Sequence, residues 1–355
     1  MHERFLKALL SVAGVRLISA LRDPGLNFSS EGDLRIFLPD MHLSSEAVRA
    51  RYEYGTNFGA ELQHRETPLL IQVLGVLADL RTSRRDGETI EVYHTGDYLD
   101  LWRESLAPAT DERVALDIKA DHPDLVDAME NRRLAAHFLF GNHDFGLWQW
   151  HDYEGWDRRY YLPGDNDPAV MVMHGDYFDW LELCPEFARD MVVHVFARGH
   201  RPAGNILGKM MKTSDGLNAQ LKYGTPRTHL KLDQPALLGP MRESGARIIS
   251  EYNVQKDDGK AIPKGLEHLD TAARECANAN REFELNMKAV IIGHTHRPRI
   301  AVQRDGQDAL VFALIDTGAW IEQCRETEDG VRMDNAQVTA LSANEVRIYQ
   351  LEPKA

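Results

Sequence analysis

The sequence is poor in the features that announce several protein classes. Its 355 residues include only three cysteines, Cys184, Cys276 and Cys324. Scattered and odd in number, they suggest neither a disulfide framework nor a thiolate zinc site, and a reducing, cytoplasmic setting is the expectation. No stretch reaches the roughly 18 consecutive apolar residues that span a bilayer. Positive charge is also in deficit: 41 Lys and Arg face 55 Asp and Glu, a formal net charge of −14. That balance argues against a broad electrostatic footprint for nucleic acid. What remains, 43% hydrophobic and 27% charged residues, is the composition of a globular chain that can bury a full core in one large domain or two ordinary ones.

The opening stretch, MHERFLKALLSVAGVRLISALRD, has charge followed by an apolar run, as a signal peptide does. Arg16 interrupts that run, no small-residue cleavage site follows, and RDPG reads as a helix end. The expectation is an amphipathic helix over residues 1–30. Arg4, Lys7, Ser11 and Gly14 share one side, and Phe5, Leu9, Val12, Ala13 and Ala20 the other, with Arg16 on the apolar side. Packing on the protein surface is the first reading; peripheral contact with a membrane, Arg16 reaching the head groups, is the second.

Short apolar runs recur, each ending in a polar cluster: LRIFLPDMH (34–42), TIEVYHTGD (89–97), AHFLFGNHD (136–144), AVMVMHGD (169–176) and KAVIIGHTH (288–296). Their length and their Val, Ile and Phe content predict buried strands. Helical segments over 60–84 and 110–135 separate the first three, which indicates an α/β architecture. ALVFALIDTG (309–318) and NEVRIYQLE (344–352) supply two further strands and make a second sheet plausible. Residues 181–286 break the alternation with helical spacing and read as a helical insertion, with residues 31–180 and 287–355 forming the main domain. Between 185 and 232 eight Lys or Arg stand against three acids, a local excess that suits an anionic ligand.

Each of the five runs ends in potential metal ligands: Asp40 and His42, Asp97, Asn142, His174, then His294 and His296. In open α/β sheets, ligands bind beyond the carboxyl ends of the strands, so these residues are expected to converge. Any one cluster alone is an ordinary turn or cap; five in succession point to a site. His, Asp and Asn donors without thiolate suit Mn, Fe or Zn. Two such ions form the clamp used for in-line displacement at phosphorus. His143, between Asn142 and Asp144, is placed to protonate a departing oxygen, with Asp144 fixing its tautomer.

The order DMH, GDYLD, GNHD, HGD, GHTH resembles the calcineurin-like metallophosphoesterase superfamily, over residues 36–320 with the insertion outside the match. The resemblance implies two mixed β-sheets packed face to face with flanking helices, an αββα sandwich, and a binuclear centre of two divalent ions, manganese first, with iron or zinc as alternatives. It assigns Asp40, His42 and His296 to one ion, Asn142, His174 and His294 to the other, and Asp97 to the bridge. His143 becomes the general acid and Asp144 its partner. Asp316, in IDTGAW, stands where the family often has Asn. Ser/Thr protein phosphatases of the superfamily carry Arg-Gly after the second Asp and Glu after Asn-His, whereas this chain has GDYLDLW and GNHDF. GDYLDLW, HGDYFD and GHTHRP are instead similar to the UDP-2,3-diacylglucosamine pyrophosphohydrolase-like group, which usually has Arg where this chain has His143.

The expected function is metal-dependent hydrolysis of a phosphoester or pyrophosphate bond in an anionic small-molecule or lipid-linked substrate. Arg198, His200 and Arg201 are candidates for phosphate contact, since Arg presents a bidentate fork to phosphate oxygens. Asp100, Asp176 and Asp179 are candidates for orienting the ligands. The competing readings are a nuclease of the same superfamily, disfavoured by the acidic balance, and a scaffold that kept the fold without catalysis, disfavoured by the complete ligand set.

Overall fold

The computed structural model describes residues 1–26, 32–46, 60–101, 111–162, 169–176, 178, 249–253, 267–296, 298–320, 324–327, 330–333 and 336–354. In chain order its elements are α1 (His2–Val12), β1 (Ala13–Arg22), β2 (Asp33–Leu38), α2 (Ala60–Thr82), β3 (Thr89–His94), α3 (Asp111–Asp121), α4 (Pro123–Met129), β4 (His137–Phe138), β5 (Arg159–Leu162) and β6 (Val170–Met173). There follow β7 (Ile249–Asn253), α5 (Glu267–Phe283), β8 (Ala289–Ile292), β9 (Arg299–Arg304), β10 (Leu310–Asp316), β11 (Cys324–Thr327), β12 (Gly330–Met333), β13 (Gln337–Ser342) and β14 (Glu345–Pro353).

Strand alternation sets the layers, because successive side chains leave opposite faces. Phe37, Tyr93, Leu341 and Ile348 of one sheet meet Val172, Ile291, Ile300, Ala313 and Ile315 of the other in a shared core. The opposite face of the first sheet, with Leu34, Ile36 and Val92, packs on Phe5 and Leu9 of α1, Val73 and Leu77 of α2, Ile118 of α3 and Met129 of α4. On the far side, Met171, Met173, Val290, Ile292 and Leu314 receive Leu269, Ala272 and Cys276 of α5. The result is the expected αββα sandwich, since both faces of each six-stranded sheet carry apolar side chains that must be covered.

The first sheet has the order β1-β14-β13-β2-β3-β4 and the second β5-β6-β8-β10-β9-β7. Within them β2, β3 and β4 are parallel, as are β6, β8 and β10. Parallel neighbours require crossover connections, and α2 lies between β2 and β3 as α3 and α4 lie between β3 and β4. The polar ends of the predicted strands are therefore delivered to one edge of the sandwich.

Two boundaries differ from the sequence expectation. The helix predicted over residues 1–30 stops at Val12, and Ala13–Arg22 is an edge strand antiparallel to β14, with Val15 opposite Leu351 and Leu17 opposite Tyr349. Gly14 weakens a helix, while Val15 and Ile18 favour a pleated partner that a helical wheel does not register. Phe5 and Leu9 of the apolar side are fully buried, so that side faces the core. The second difference concerns the insertion over 181–286. Its described parts include β7, which joins the second sheet parallel to β9, and α5, which covers that sheet's outer face. Residues 249–283 thus contribute to the main body where described, and a partner strand distant in sequence explains why no local pattern revealed it. No helix among the described residues is long and apolar enough to cross a membrane.

Candidate metal centre

Asp40 and His42 follow β2, Asp97 follows β3 and Asn142 follows β4, while His174 follows β6 and His294 and His296 follow β8. The loops that carry them are pinned to one another. Met41 and His42 donate their backbone N–H groups to the Asp97 carbonyl at 3.1 and 2.8 Å. His294 N donates to Asp40 Oδ2, and His143 N to Asp97 Oδ1, both at 2.8 Å. Each carboxylate thereby orients a neighbouring loop with one oxygen.

The backbone is unusual at the same places. His42, Asp97, His294 and His296 have φ of 47°, 54°, 65° and 57°, left-handed values that cost an L-residue roughly 1–2 kcal/mol. Four of seven ligand-type residues in that region mark a site held by its surroundings, since such conformations cluster where function over-determines them. Gly141 and Gly293 complete the cradle. A Cβ on Gly141 would lie 2.0 Å from Asp97 Oδ1, and one on Gly293 2.1 Å from Asp40 Oδ1, so only glycine lets the carboxylates settle there.

Among the described residues the side chains form two triads, linked by a third made of His42, Asp97 and His143. Asp40, His42 and His296 offer donor atoms within 4.8 Å of one another, as do Asp97, His174 and His294. In the first, His42 Nε2 and His296 Nε2 are 3.0 Å apart and His296 Nε2 is 3.1 Å from Asp40 Oδ2. In the second, His174 Nε2 lies 2.9 Å from Asn142 Oδ1, 3.1 Å from Asp97 Oδ2 and 3.3 Å from His294 Nδ1. Imidazole nitrogens aimed at each other at the centre of a buried acidic cluster are a donor set for cations. Oxygen and nitrogen donors without thiolate fit divalent Mn, Fe or Zn.

Charge within the cluster is tightly correlated. Burial pushes the Asp97 carboxyl upward, but His174, His143 and His42 outweigh it and hold the group well below the usual carboxylate range. Burial lowers His174, yet Asp97 and Asp40 raise it to about 10. Asp40 is pushed up to about 6, chiefly by burial, and His42 down to about 4 by burial and by His143. A neutral His42 keeps a lone pair for an ion, the state a ligand imidazole requires.

Outer partners fix ring orientation. His174 Nδ1 donates to the Thr95 carbonyl at 3.0 Å, which turns Nε2 toward Asn142 and Asp97. Asp100, buried, reaches His143 Nδ1 with Oδ1 at 2.8 Å and His42 Nδ1 with Oδ2 at 3.3 Å. One carboxylate therefore orients a candidate ligand and the candidate acid together. His143 is the more open of the two rings, with 19% of its side chain exposed, and it lies within ligand range of His42 and Asp97.

This arrangement corrects the expected pairing of His143 with Asp144. Asp144 turns to the backbone, accepting from Gly141 N and Tyr98 N, each at 2.8 Å; its carboxyl is raised to about 7 by burial and by Asp97. Adjacent side chains diverge, so sequence proximity misled. Asp176 is buried and pairs with Arg158 at 3.3 Å, a contact no motif indicated. Asp316 accepts a hydrogen bond from Thr295 Oγ1, and Gly318 N donates to its Oδ1 at 3.2 Å, which ties the turn after β10 to the His294–His296 loop. Arg198, His200, Arg201 and Asp179 lie outside the described residues.

No family model and no curated protein matches the chain. Among solved structures it is similar to the crystal structure of a dimetal phosphatase from Danio rerio, with 14% identity, 89% of this chain and 98% of that chain covered, and a TM-score of 0.35.

Proposed function

We propose that this chain is a metal-dependent phosphoesterase with a binuclear centre, acting on an anionic phosphate-containing small molecule or lipid-linked substrate. The observation that carries the reading is the position of Asp97, whose Oδ2 lies 3.4 Å from His42 Nε2 and 3.1 Å from His174 Nε2. One carboxylate lies between a histidine of each half. Asp40, His42 and His296 would hold one ion, Asn142, His174 and His294 the other, with Asp97 shared; manganese is the first expectation. When bound, such a pair supplies Lewis acidity toward phosphate oxygens and lowers the pKa of water.

The chain's own contribution is orientation and proton delivery. Asp100 holds His143 Nδ1, which leaves Nε2 as the nitrogen that can protonate the departing oxygen.

The test is hydrolysis of bis(p-nitrophenyl) phosphate and p-nitrophenyl phosphate by chelator-stripped protein, with Mn, Zn, Fe and Mg restored separately. Metal-dependent turnover that Asp97→Ala abolishes is the expected result. Two ions bound per chain with no turnover under any metal would overturn the phosphoesterase reading, and no bound ions would overturn the metal centre itself.

A further inference from the structure

Arg158 sits where the chain crosses from the first sheet to the second. Asp157 forms a bridge with Leu139 just beyond β4, through Phe140 N to the Asp157 carbonyl at 2.7 Å and Asp157 N to the Phe138 carbonyl at 3.0 Å. Arg159 then opens β5, the edge strand of the second sheet. From this crossing the guanidinium reaches into both layers. Nη1 donates to the carbonyls of Phe140 and Gly141 at 3.3 and 3.4 Å, the two residues preceding Asn142. Nη2 lies 3.3 Å from Asp176 Oδ2, two residues beyond His174.

Asn142 and His174 come from different sheets, and their donor atoms must meet at 2.9 Å. A planar fork that holds the backbone before one and the side chain after the other fixes their spacing, which a point charge does not do. An arginine near a cation site is electrostatically unfavourable by itself. Asp176 neutralises it, so the pair offers geometry without net charge.

We propose that Arg158, with Asp176, is a positioning residue for the half of the centre formed by Asn142, His174 and His294, and that it sets the affinity of that half for its ion without touching the other half. The inference rests on the binuclear reading above.

Calorimetric titration of Mn²⁺ into the chelator-stripped full chain tests it. The parent protein should show two binding events, assigned by Asn142→Ala and His296→Ala, each of which removes a ligand from one half. Arg158→Ala and Asp176→Asn should weaken the event lost in Asn142→Ala by about 10–100-fold and leave the other unchanged. Arg158→Lys should recover only part of the loss, because one ammonium cannot span both contacts. Asp176→Asn preserves side-chain shape and carries the test if Arg158→Ala fails to fold. Parent-like binding in the folded variants, or equal weakening of both events, overturns the inference. Failure of the parent to bind two ions overturns the binuclear reading first, and this inference with it.

Discussion

His143 Nδ1 lies 2.8 Å from Asp100 Oδ1, while the adjacent Asp144 accepts backbone N–H groups from Gly141 and Tyr98. His143, the proposed acid, and its neighbour in sequence therefore have separable roles. His143→Ala should lower turnover of an alkyl phosphate, a poor leaving group, by roughly 10²–10⁴-fold, with a much smaller effect on p-nitrophenyl phosphate and unchanged metal content. Equal losses on both substrates would remove His143 from proton delivery.

Asp144→Ala acts on stability instead. It strands two buried N–H donors that now bond a carboxylate, at a cost of roughly 3 kcal/mol. Urea unfolding of the metal-free chain should show the loss, and a variant as stable as the parent would contradict the backbone-holding role.

His94 predicts an acid limb in stability. It is fully buried among the rings of Tyr98 and Phe138, and burial lowers its pKa from 6.5 to about 3. The unfolded chain therefore binds a proton the folded chain refuses. The sign follows: stability is intact above pH 6.5, falls as pH drops below it, and stops falling below about pH 3. Between pH 7 and 5 the loss from this one group is about 2 kcal/mol. His94→Phe should flatten that part of the stability profile, and parallel profiles for the two proteins would count against it.

Phe5 tests the packing of α1 on the core. Its side chain is fully buried, with its ring 5.9 Å from that of Tyr349. Phe5→Ala should cost about 3–5 kcal/mol, seen as a lowered midpoint in thermal unfolding. A neutral substitution would contradict the packing of α1's apolar side on the core.

The strands that carry the candidate ligands were legible because β6 and β8 are apolar on both faces, the signature of strands covered on both sides, β2 and β3 alternate with one apolar face, and each ends in a change to polar residues. The site was legible for the same reason: parallel strands of both sheets carry their C-terminal residues to one edge. β4 is shorter than its run AHFLF suggests, since the chain leaves the ladder at Leu139 to bridge Asp157. β1 was misread because its identity depends on β14, more than three hundred residues away. β7 and Arg158 gave no local signal: one is defined by a distant strand and the other by two backbone carbonyls and a buried carboxylate. Asp144 shows the converse failure, where adjacency suggested a contact that the backbone directions forbid.

Each half of the candidate centre draws on both layers: Asp40 and His42 with His296, and Asn142 with His174 and His294. The hydrophobic drive that joins the sheets is non-directional and does not itself name a register. A slip of one residue moves a strand by about 3.3 Å, as much as the 3.0 Å between His42 Nε2 and His296 Nε2. The centre therefore works as a vernier for the alignment of the sandwich, and ions held there would be rivets against shear.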